Sequence, residues 1–575
     1  MTTQPPHSIN AYHIPIMVFI GLCVSETLMI LYVNSGHFLY TLDDPYIHLG
    51  LAENIAKGHY GINLSEYSAP SSSILWPFLL APFTPLPIAP YIPLILNMIA
   101  SVGTLIVLGH LSARIIKNQW GATSTVIVLM LSTNLVALSF TGMEHCLQIF
   151  VTVLIAAGLI VENLEGFPPW WLLVAIVLEP LIRYEGVIVT LTTIGVLVIR
   201  RHYKAAFWCS VISFSLLGGF SWFLMSLGLE RLPNSVIVKA FTHTNGGDWG
   251  ISVFRAALNL QSRAGAILVC GLLFLAGVFI HQGRPFFDKL LAVWAAVITI
   301  SHLVTAPLRD TSLFIQVSRY DAYVMALLLV VLLYVYRDFF FHFFAEHRHY
   351  WIGMQAAVLL VFIAHQYLIA NLLTPIASNN IYEQQYQMRR FLHDFHHEPI
   401  AVNDLGLTSY GNSNYVLDLW GLGNLEAFYA RANREQEHWM NDLASAHNVR
   451  TAIIYDSWFP SVPPNWTRVA TLHLSKLRLT PAEPYVSFYA LNQEALPRMY
   501  AALEAFQEGL PPRVELKFEQ SLQTAKAEAQ SHASFAKLGL DKQASVNIQA
   551  QTVPSTEQPR LGPTDVLKTG FHEKS

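Results

Sequence analysis

Charge is scarce in this sequence: Asp, Glu, Lys and Arg make up only 13% of 575 residues, and the formal net charge is -4. No long Lys/Arg run occurs, so the chain lacks the basic footprint that neutralises nucleic-acid phosphates, and DNA and RNA are excluded as partners. Cysteine is equally sparse. Cys23, Cys146, Cys209 and Cys270 each sit inside an apolar run, without the paired spacing that would frame zinc or a disulfide network, and read as buried packing residues. Also absent are a Gly-x-x-x-x-Gly-Lys phosphate loop, a His-Glu-x-x-His pair and a Gly-x-Ser-x-Gly elbow, which removes the usual support for a nucleotide-driven pump or a serine hydrolase. What abounds is apolar: 53% of residues, with a mean hydropathy of +0.40. That excludes an ordinary soluble chain and predicts a polytopic α-helical membrane protein.

A spanning helix needs about 20 mostly apolar residues. The first such run, 12–33, is too long for a secretory h-region and lacks a small-residue cleavage site, so a retained first span is expected. Further candidates fall at 88–112, 119–139, 143–162, 169–182, 185–200, 206–228, 264–281, 288–306, 320–336 and 351–373, for a total of about eleven. With the N-terminus in the cytoplasm, inner loops hold Arg114, Lys117, Arg200, Arg201, Lys204, Arg284, Lys289, Arg337 and Arg348, mostly in short loops. Outer loops hold nearly as many, but in longer stretches whose charge counts for less. An odd number of spans then puts everything after residue 375 outside.

Composition changes there. Strand-length apolar runs at Pro399–Val402, Tyr415–Asp418, Thr451–Tyr455 and Val486–Ala490 alternate with helical stretches near 380–395, 425–447 and 493–508, a pattern of a small α/β domain. The expected organisation is a transmembrane domain over 1–375, an extracytoplasmic α/β domain over 376–519 and a disordered tail over 520–575, rich in Gln, Ala, Ser, Thr and Lys without apolar periodicity. His393, His396 and His397 lack any matching cysteine or second histidine pair and read as a solvated helical face.

The informative segment is Thr41-Leu-Asp-Asp-Pro-Tyr-Ile-His-Leu-Gly-Leu-Ala-Glu-Asn-Ile-Ala-Lys-Gly58. Asp44 before Pro45 reads as an N-cap and Gly58 as a stop, predicting a helix over 45–57. Ile47, Leu51 and Ile55 would share one side, suiting a helix along the membrane surface. Asp43 is not needed as a cap and is left over for chemistry. Polar groups gather beyond it in Glu66–Trp76, Thr141–Glu144, Leu181–Gly186, Leu232–Ser235 with Lys239, and Ser318–Tyr320, all on the outer face of the expected topology. Ionisable groups beside membrane segments are costly and tend to mark sites.

These segments together resemble the GT-C superfamily of polytopic glycosyltransferases, and within it the bacterial branch that includes the mycobacterial terminal arabinofuranosyltransferases. Asp43-Asp-Pro-Tyr-Ile47, Tyr67–Trp76, Gly142-Met-Glu-His145, Arg183-Tyr-Glu-Gly186 and Leu232-Pro-Asn-Ser235 with Lys239 match its motifs in order, with His145 and Tyr184 departing from the pattern. Val402-Asn-Asp-Leu-Gly406 and Val416-Leu-Asp-Leu-Trp-Gly421 look like the family's Asp-x-Gly turn and following strand.

The resemblance implies a bacterial inner-membrane enzyme that moves a sugar from a polyprenyl-phosphate carrier, with inversion, to a hydroxyl of a cell-envelope glycan, lipid or protein, in contact with membrane lipids. It places the catalytic base on Asp43, with Asp44 beside it, and substrate contacts on Glu144, Arg183, Glu185, Asn234, Lys239, Arg319 and Tyr320. Fixed cations near the departing phosphate would favour the transition state, and Arg183, Lys239 and Arg319 are the candidates. Each also has a plainer reading: Arg183 paired with Glu185 or Glu179, Lys239 snorkelling, Arg319 anchoring an interface. Asp43, Asp44 and His48 are of the types that can share a divalent cation, although no motif requires one. The competing class is a secondary transporter or lipid flippase, whose polar groups would gather at mid-membrane, where only Glu26 and Glu179 qualify. A ligand sensor anchored by its spans is the third reading, but so many spans exceed an anchor's needs.

Overall fold

The computed structural model describes residues 10–116, 118–241, 263–280, 283–305, 319–346, 365–432, 438–459, 461–475, 477–520 and 522–523. Of its two compact units, Met1–Lys517 and Phe518–Ser575, the first contains every element below except the last residue of the last strand. The expected tail, 520–575, lies almost wholly outside the described residues.

The membrane part is a helix bundle: α1 (Asn10–Val33), α2 (Asp44–Ala56), α3 (Leu75–Leu80), α4 (Ile92–Ile115), α5 (Gln119–Ser132), α6 (Leu135–Ser139), α7 (His145–Glu165), α8 (Trp170–Ile182), α9 (Gly186–Ile199), α10 (Tyr203–Ser226), α11 (Asn234–Phe241), α12 (Arg263–Ile280), α13 (Phe286–Thr305), α14 (Ala322–Val335), α15 (Arg337–Glu346) and α16 (His365–Glu383). Among the described residues, five helices are long and apolar enough to cross a membrane, and four shorter apolar helices accompany them, so the chain is a multi-pass membrane protein. Among the described residues the count of about eleven spans is not confirmed. The stretch 119–139 is interrupted where Asn134 takes a left-handed conformation (φ 56°) between α5 and α6, and most of 351–373 lies outside the described residues. The α8–α9 hairpin is short for a physical reason. Its tip at Arg183–Glu185 carries charges, and 13 residues rise about 20 Å where hydrocarbon is about 30 Å thick.

Ion pairs sort the bundle into two ends. At one, Glu162 near the end of α7 meets Arg200 and His202 from the α9–α10 turn, and Asp288 of α13 meets Arg337 at the start of α15. At the other, Glu144 before α7 meets Arg183 after α8, and Asp44 meets Arg319 before α14.

Beyond α16 comes α17 (Gln385–Asp394) and a six-stranded mixed sheet ordered β2-β1-β3-β5-β4-β6, with β1 (Ile400–Val402), β2 (Val416–Asp418), β3 (Thr451–Ile454), β4 (Thr467–His473), β5 (Tyr485–Ala490) and β6 (Glu515–Phe518). β1 pairs in parallel with β2 and β3, while β5 runs antiparallel to β3 and β4. The remaining helices are α18 (Gly406–Ser409), α19 (Leu425–Ala432), α20 (Trp439–Ala446) and α21 (Ala495–Gln507). All four expected strands are present, whereas β4 and β6 are additions. The expected boundary at 375/376 falls inside α16, which continues from the bundle to Glu383. Of the histidine trio, His393 on α17 and His397 beyond its end are exposed, as a solvated face requires. His396 is buried, stacked on Phe391 at 5.4 Å and hydrogen-bonded to Thr451 Oγ1 at 2.8 Å.

Candidate functional site

The loop after α1 is pinned on both sides. Thr41 N–H donates to Phe140 O, Tyr40 Oη donates to Pro90 O, and Asn63 forms a two-way pair with the backbone of Val416 on β2, both at 2.9 Å. Where this loop meets the 141–144 turn, Gly142 adopts φ +68°, and an added Cβ would lie 2.7 Å from Pro45 Cβ. Glycine is the residue that supplies both the left-handed turn and the space.

α2 begins at Asp44, with Pro45 in its first turn, but the expected cap is not made. Asp43 occupies the cap position and has no capping hydrogen bond. Its carboxylate is taken by other donors: Gly406 N–H reaches Oδ2 at 2.7 Å and Leu407 N–H reaches Oδ1 at 2.8 Å. Nor is the apolar side of α2 left open for a membrane surface. Pro45 to Ala52 are all buried, because the helix packs between α3 and α18 and only Ile55 of the expected apolar side is half-buried.

The two adjacent acids therefore sit in different environments. Asp43 is 7% exposed, with both oxygens accepting backbone N–H bonds. Its hydrogen-bonded neighbour is Asp404, which also accepts from Gln385 Nε2 at 2.7 Å and Tyr455 Oη at 3.0 Å. Burial first, and then the charge of Asp404, pushes the Asp43 carboxyl well above its ordinary range, and burial raises Asp404 as well. Two neighbouring carboxyls away from water favour a state in which one of them keeps its proton. The Asp44 side chain, by contrast, is 42% exposed and pairs with Arg319 Nη1 at 2.8 Å.

From Arg319 the network continues inward. Its guanidinium lies 4.9 Å from the Tyr320 ring, and the Arg183 guanidinium lies 5.2 Å from the same ring. Arg183, 3% exposed, bonds Glu144 Oε1 at 2.5 Å and Glu185 Oε1 at 3.0 Å, so its plainer reading as a paired arginine holds for Glu185 and not for Glu179. Fully buried Glu144 also takes Ser72 Oγ at 3.5 Å, and His48 Nε2 stands 3.9 Å away. Ser71 Oγ donates to Ser73 O at 2.6 Å, so it accepts from His48 Nδ1–H at 3.0 Å. The His145 ring meets the edge of Tyr320 at 5.7 Å. Behind Tyr320, His302 bridges Asp321 at 2.7 Å and Tyr323 at 3.1 Å.

Asp44, Glu144, Arg183, Glu185, Arg319 and Tyr320 thus form one connected cluster, with His48 at its inner edge. Asn234 is placed differently: its N–H donates to Ala69 O and its side-chain amide to Leu422 O, tying α11 to the loop and to the turn after β2. Lys239 lies on α11, but its side chain is outside the described residues. Asp43, Asp44 and His48 do not converge, being committed to Gly406, Arg319 and Ser71 respectively. No group of three or more His, Cys, Asp or Glu able to hold a metal ion occurs among the described residues. Glu179, which the sequence suggested for mid-membrane, lies one turn before Arg183 and accepts from Thr152 at 2.9 Å.

Sequence reasoning missed Asp404 as the partner of the loop acid Asp43, and Gln385 and Tyr455 as the partners of Asp404. The available signal was the Asp-x-Gly turn at the carboxyl end of β1, since sites in open α/β sheets lie at that end of the strands.

Residues 379–489 match a family described as a domain of unknown function, DUF8728. No curated protein matches the chain. Among solved structures, the chain is similar to the Archaeoglobus fulgidus oligosaccharyltransferase in its apo form, at 12% identity and a TM-score of 0.46 over 87% of this chain and 76% of that one. A second structure of that enzyme, in complex with Zn and sulfate, gives 12% identity and 0.44 over 86% and 74%. Likeness at that level carries no argument about activity, so the function is argued from the residues of the cluster.

Proposed function

We propose that the chain is an inverting glycosyltransferase that moves a sugar from a polyprenyl-phosphate carrier to an acceptor hydroxyl of an envelope glycan, lipid or protein at the outer face of a bacterial inner membrane, with the α/β domain on that same side. The observation that carries this reading is the pairing of a solvent-open carboxylate, Asp44, with a buried guanidinium, Arg319, whose Nε has no hydrogen-bond partner. A base and a phosphate-binding cation are what the displacement needs at neighbouring positions.

The acceptor oxygen attacks the anomeric carbon, the bond to phosphate oxygen breaks, and the acceptor proton passes to a carboxylate within hydrogen-bond reach. Asp44 suits that role better than Asp43, whose oxygens already accept backbone N–H bonds. The departing phosphate gains charge as the bond breaks, and Arg319 would meet it in a water-poor setting where fixed charge acts strongly. Donor phosphate on Arg319 would also draw that cation away from Asp44, freeing the carboxylate to take the proton. Arg183 is saturated by two acids and serves to hold Tyr320 and Glu144 in place. The three residues suggested for a divalent cation do not meet, so no step is routed through a metal.

The test is incubation of the purified protein with a panel of polyprenyl-phosphate sugars, reading release of the lipid phosphate. Release that depends on Asp44 and on an acceptor supports the reading. Carriage of a lipid-linked sugar across vesicles without release of any lipid phosphate would replace it with the transporter.

A further inference from the structure

We propose that Asp404, at the carboxyl end of β1, is a positioning residue for the outer-loop site: hydrogen-bonded to Asp43 beside the Gly406–Leu407 amides, it locks the loop onto the α/β domain and thereby sets where Asp44 stands. The proposal rests on the reading of Asp44 as the base. It also gives the matched domain of unknown function a role, as the clamp for a membrane-exit loop.

The contact is closely built. Gly406 and Leu407 present their N–H groups to the two Asp43 oxygens. A Cβ on Gly406 would fall 2.1 Å from Asp43 O and 2.5 Å from its carboxyl carbon, so glycine is required for the approach itself. Asp404 is oriented by Gln385 Nε2 and Tyr455 Oη, and Tyr455 Oη also reaches Gln384 Oε1 at 2.6 Å. Farther along the loop, Glu53 accepts from Gly411 N–H at 3.2 Å and Glu66 accepts from Tyr415 Oη at 2.9 Å. Asp43 is thus the innermost of several ties between one loop and one sheet edge, and among them the Asp43–Asp404 contact brings two acids together. Asp44 follows it directly in sequence, with Pro45 fixing the next φ, so a shift of Asp43 is passed on to the carboxylate that faces Arg319.

A proton kept by the pair makes the lock sensitive to pH, with a defined sign. The folded pair holds a proton to higher pH than separate carboxyls would, so its contribution is present in acid and fades as pH rises through the raised range. Asp44, Tyr46, Gln385 and Tyr455 interact with the pair, and Tyr40, Glu53, Arg389 and Tyr410 lie on the elements packed around it. The tyrosines are raised above their ordinary value, first by burial. Glu53 is raised by burial too, so it adds to the same trend at its own tie, to Gly411. The Gly406–Leu407 amides report the Asp43 contact specifically.

Hydrogen exchange of the full-length protein in detergent, followed on a peptide containing Gly406 and Leu407, tests this between about pH 5.5 and pH 8.5 after correction for intrinsic rates. Protection in the wild type is expected to fall at least about tenfold across that range. Asp404→Asn should remove most of the fall, because a carboxamide N–H can donate to Asp43 without that proton. Asp404→Ala should be poorly protected throughout. Wild-type protection that is flat with pH, or an Asp404→Asn variant that follows the wild type, overturns the proposal. Transfer assays separate it from the proposed chemistry: an exchange pattern as expected, with transfer indifferent to Asp44, upholds the clamp and sinks the base.

Discussion

The two ends of the helix bundle handle charge in opposite ways. At the end holding Glu162, the acid is closed off: Arg200 Nε contacts both of its oxygens at 3.1 Å and His202 Nε2 takes one at 2.6 Å. At the end holding Asp44, a carboxylate stays 42% open to solvent beside a buried arginine, and two guanidiniums face one aromatic ring. Under the proposed function, the Glu162 pairs hold helices together, whereas the Asp44–Arg319 pair faces solvent where a substrate would arrive.

Asp44→Asn should lower turnover by about 10² to 10⁴ with the fold intact, the range for loss of a positioned base, read as lipid-phosphate release alongside thermal unfolding in detergent. At the closed end the pattern should invert: Glu162→Gln leaves a half-buried Arg200 and His202 with a weaker acceptor and should cost about 1–3 kcal/mol of stability, with turnover per folded molecule unchanged. Gly406→Ala forces a methyl group into Asp43 and should cost about 1–3 kcal/mol, seen as a lowered unfolding midpoint together with faster exchange in the 41–58 segment. The smallest effect should come from Arg498→Ala on the surface of the α/β domain, where the pair with Glu398 is exposed on both sides and breaking it should change stability by less than about 1 kcal/mol.

Much of this architecture is legible in the chain because its elements are local. The alternation of short apolar runs with helical stretches after residue 380 marks β1, β2, β3 and β5, and the Asp-Asp-Pro segment marks the loop that enters the cluster. β4 escapes notice because Thr467–His473 carries an irregularity between Arg468 and Ala470 that interrupts its alternation, and β6 because Glu515-Leu-Lys-Phe518 is an edge strand with two charges. The helix expected over 425–447 is two helices, α19 and α20. The surroundings of the two loop acids were not legible. Local rules give Asp44 the cap and leave Asp43 for chemistry, while the fold brings Gly406 and Leu407 across from a distant segment to occupy Asp43. Competition among donors for one carboxylate is settled by tertiary placement, which spacing does not encode.

The continuity of α16 has a consequence for how the molecule can vary. The helix carries the α/β domain out of the bundle as a single rod, bonded near its end to the loop through Ser378 and Asn379, which reach Leu39 O, Val33 O and Asn34 Oδ1. One residue added or removed upstream of these contacts would turn everything beyond it by about 100° and slide it about 1.5 Å. Gly406 would then rotate away from Asp43. The length of this helix is therefore a timing element: tolerated changes before residue 378 should come as substitutions, or as insertions and deletions of whole turns, and a library of single-residue indels there should be depleted from the active pool while the same indels at the loop surface survive.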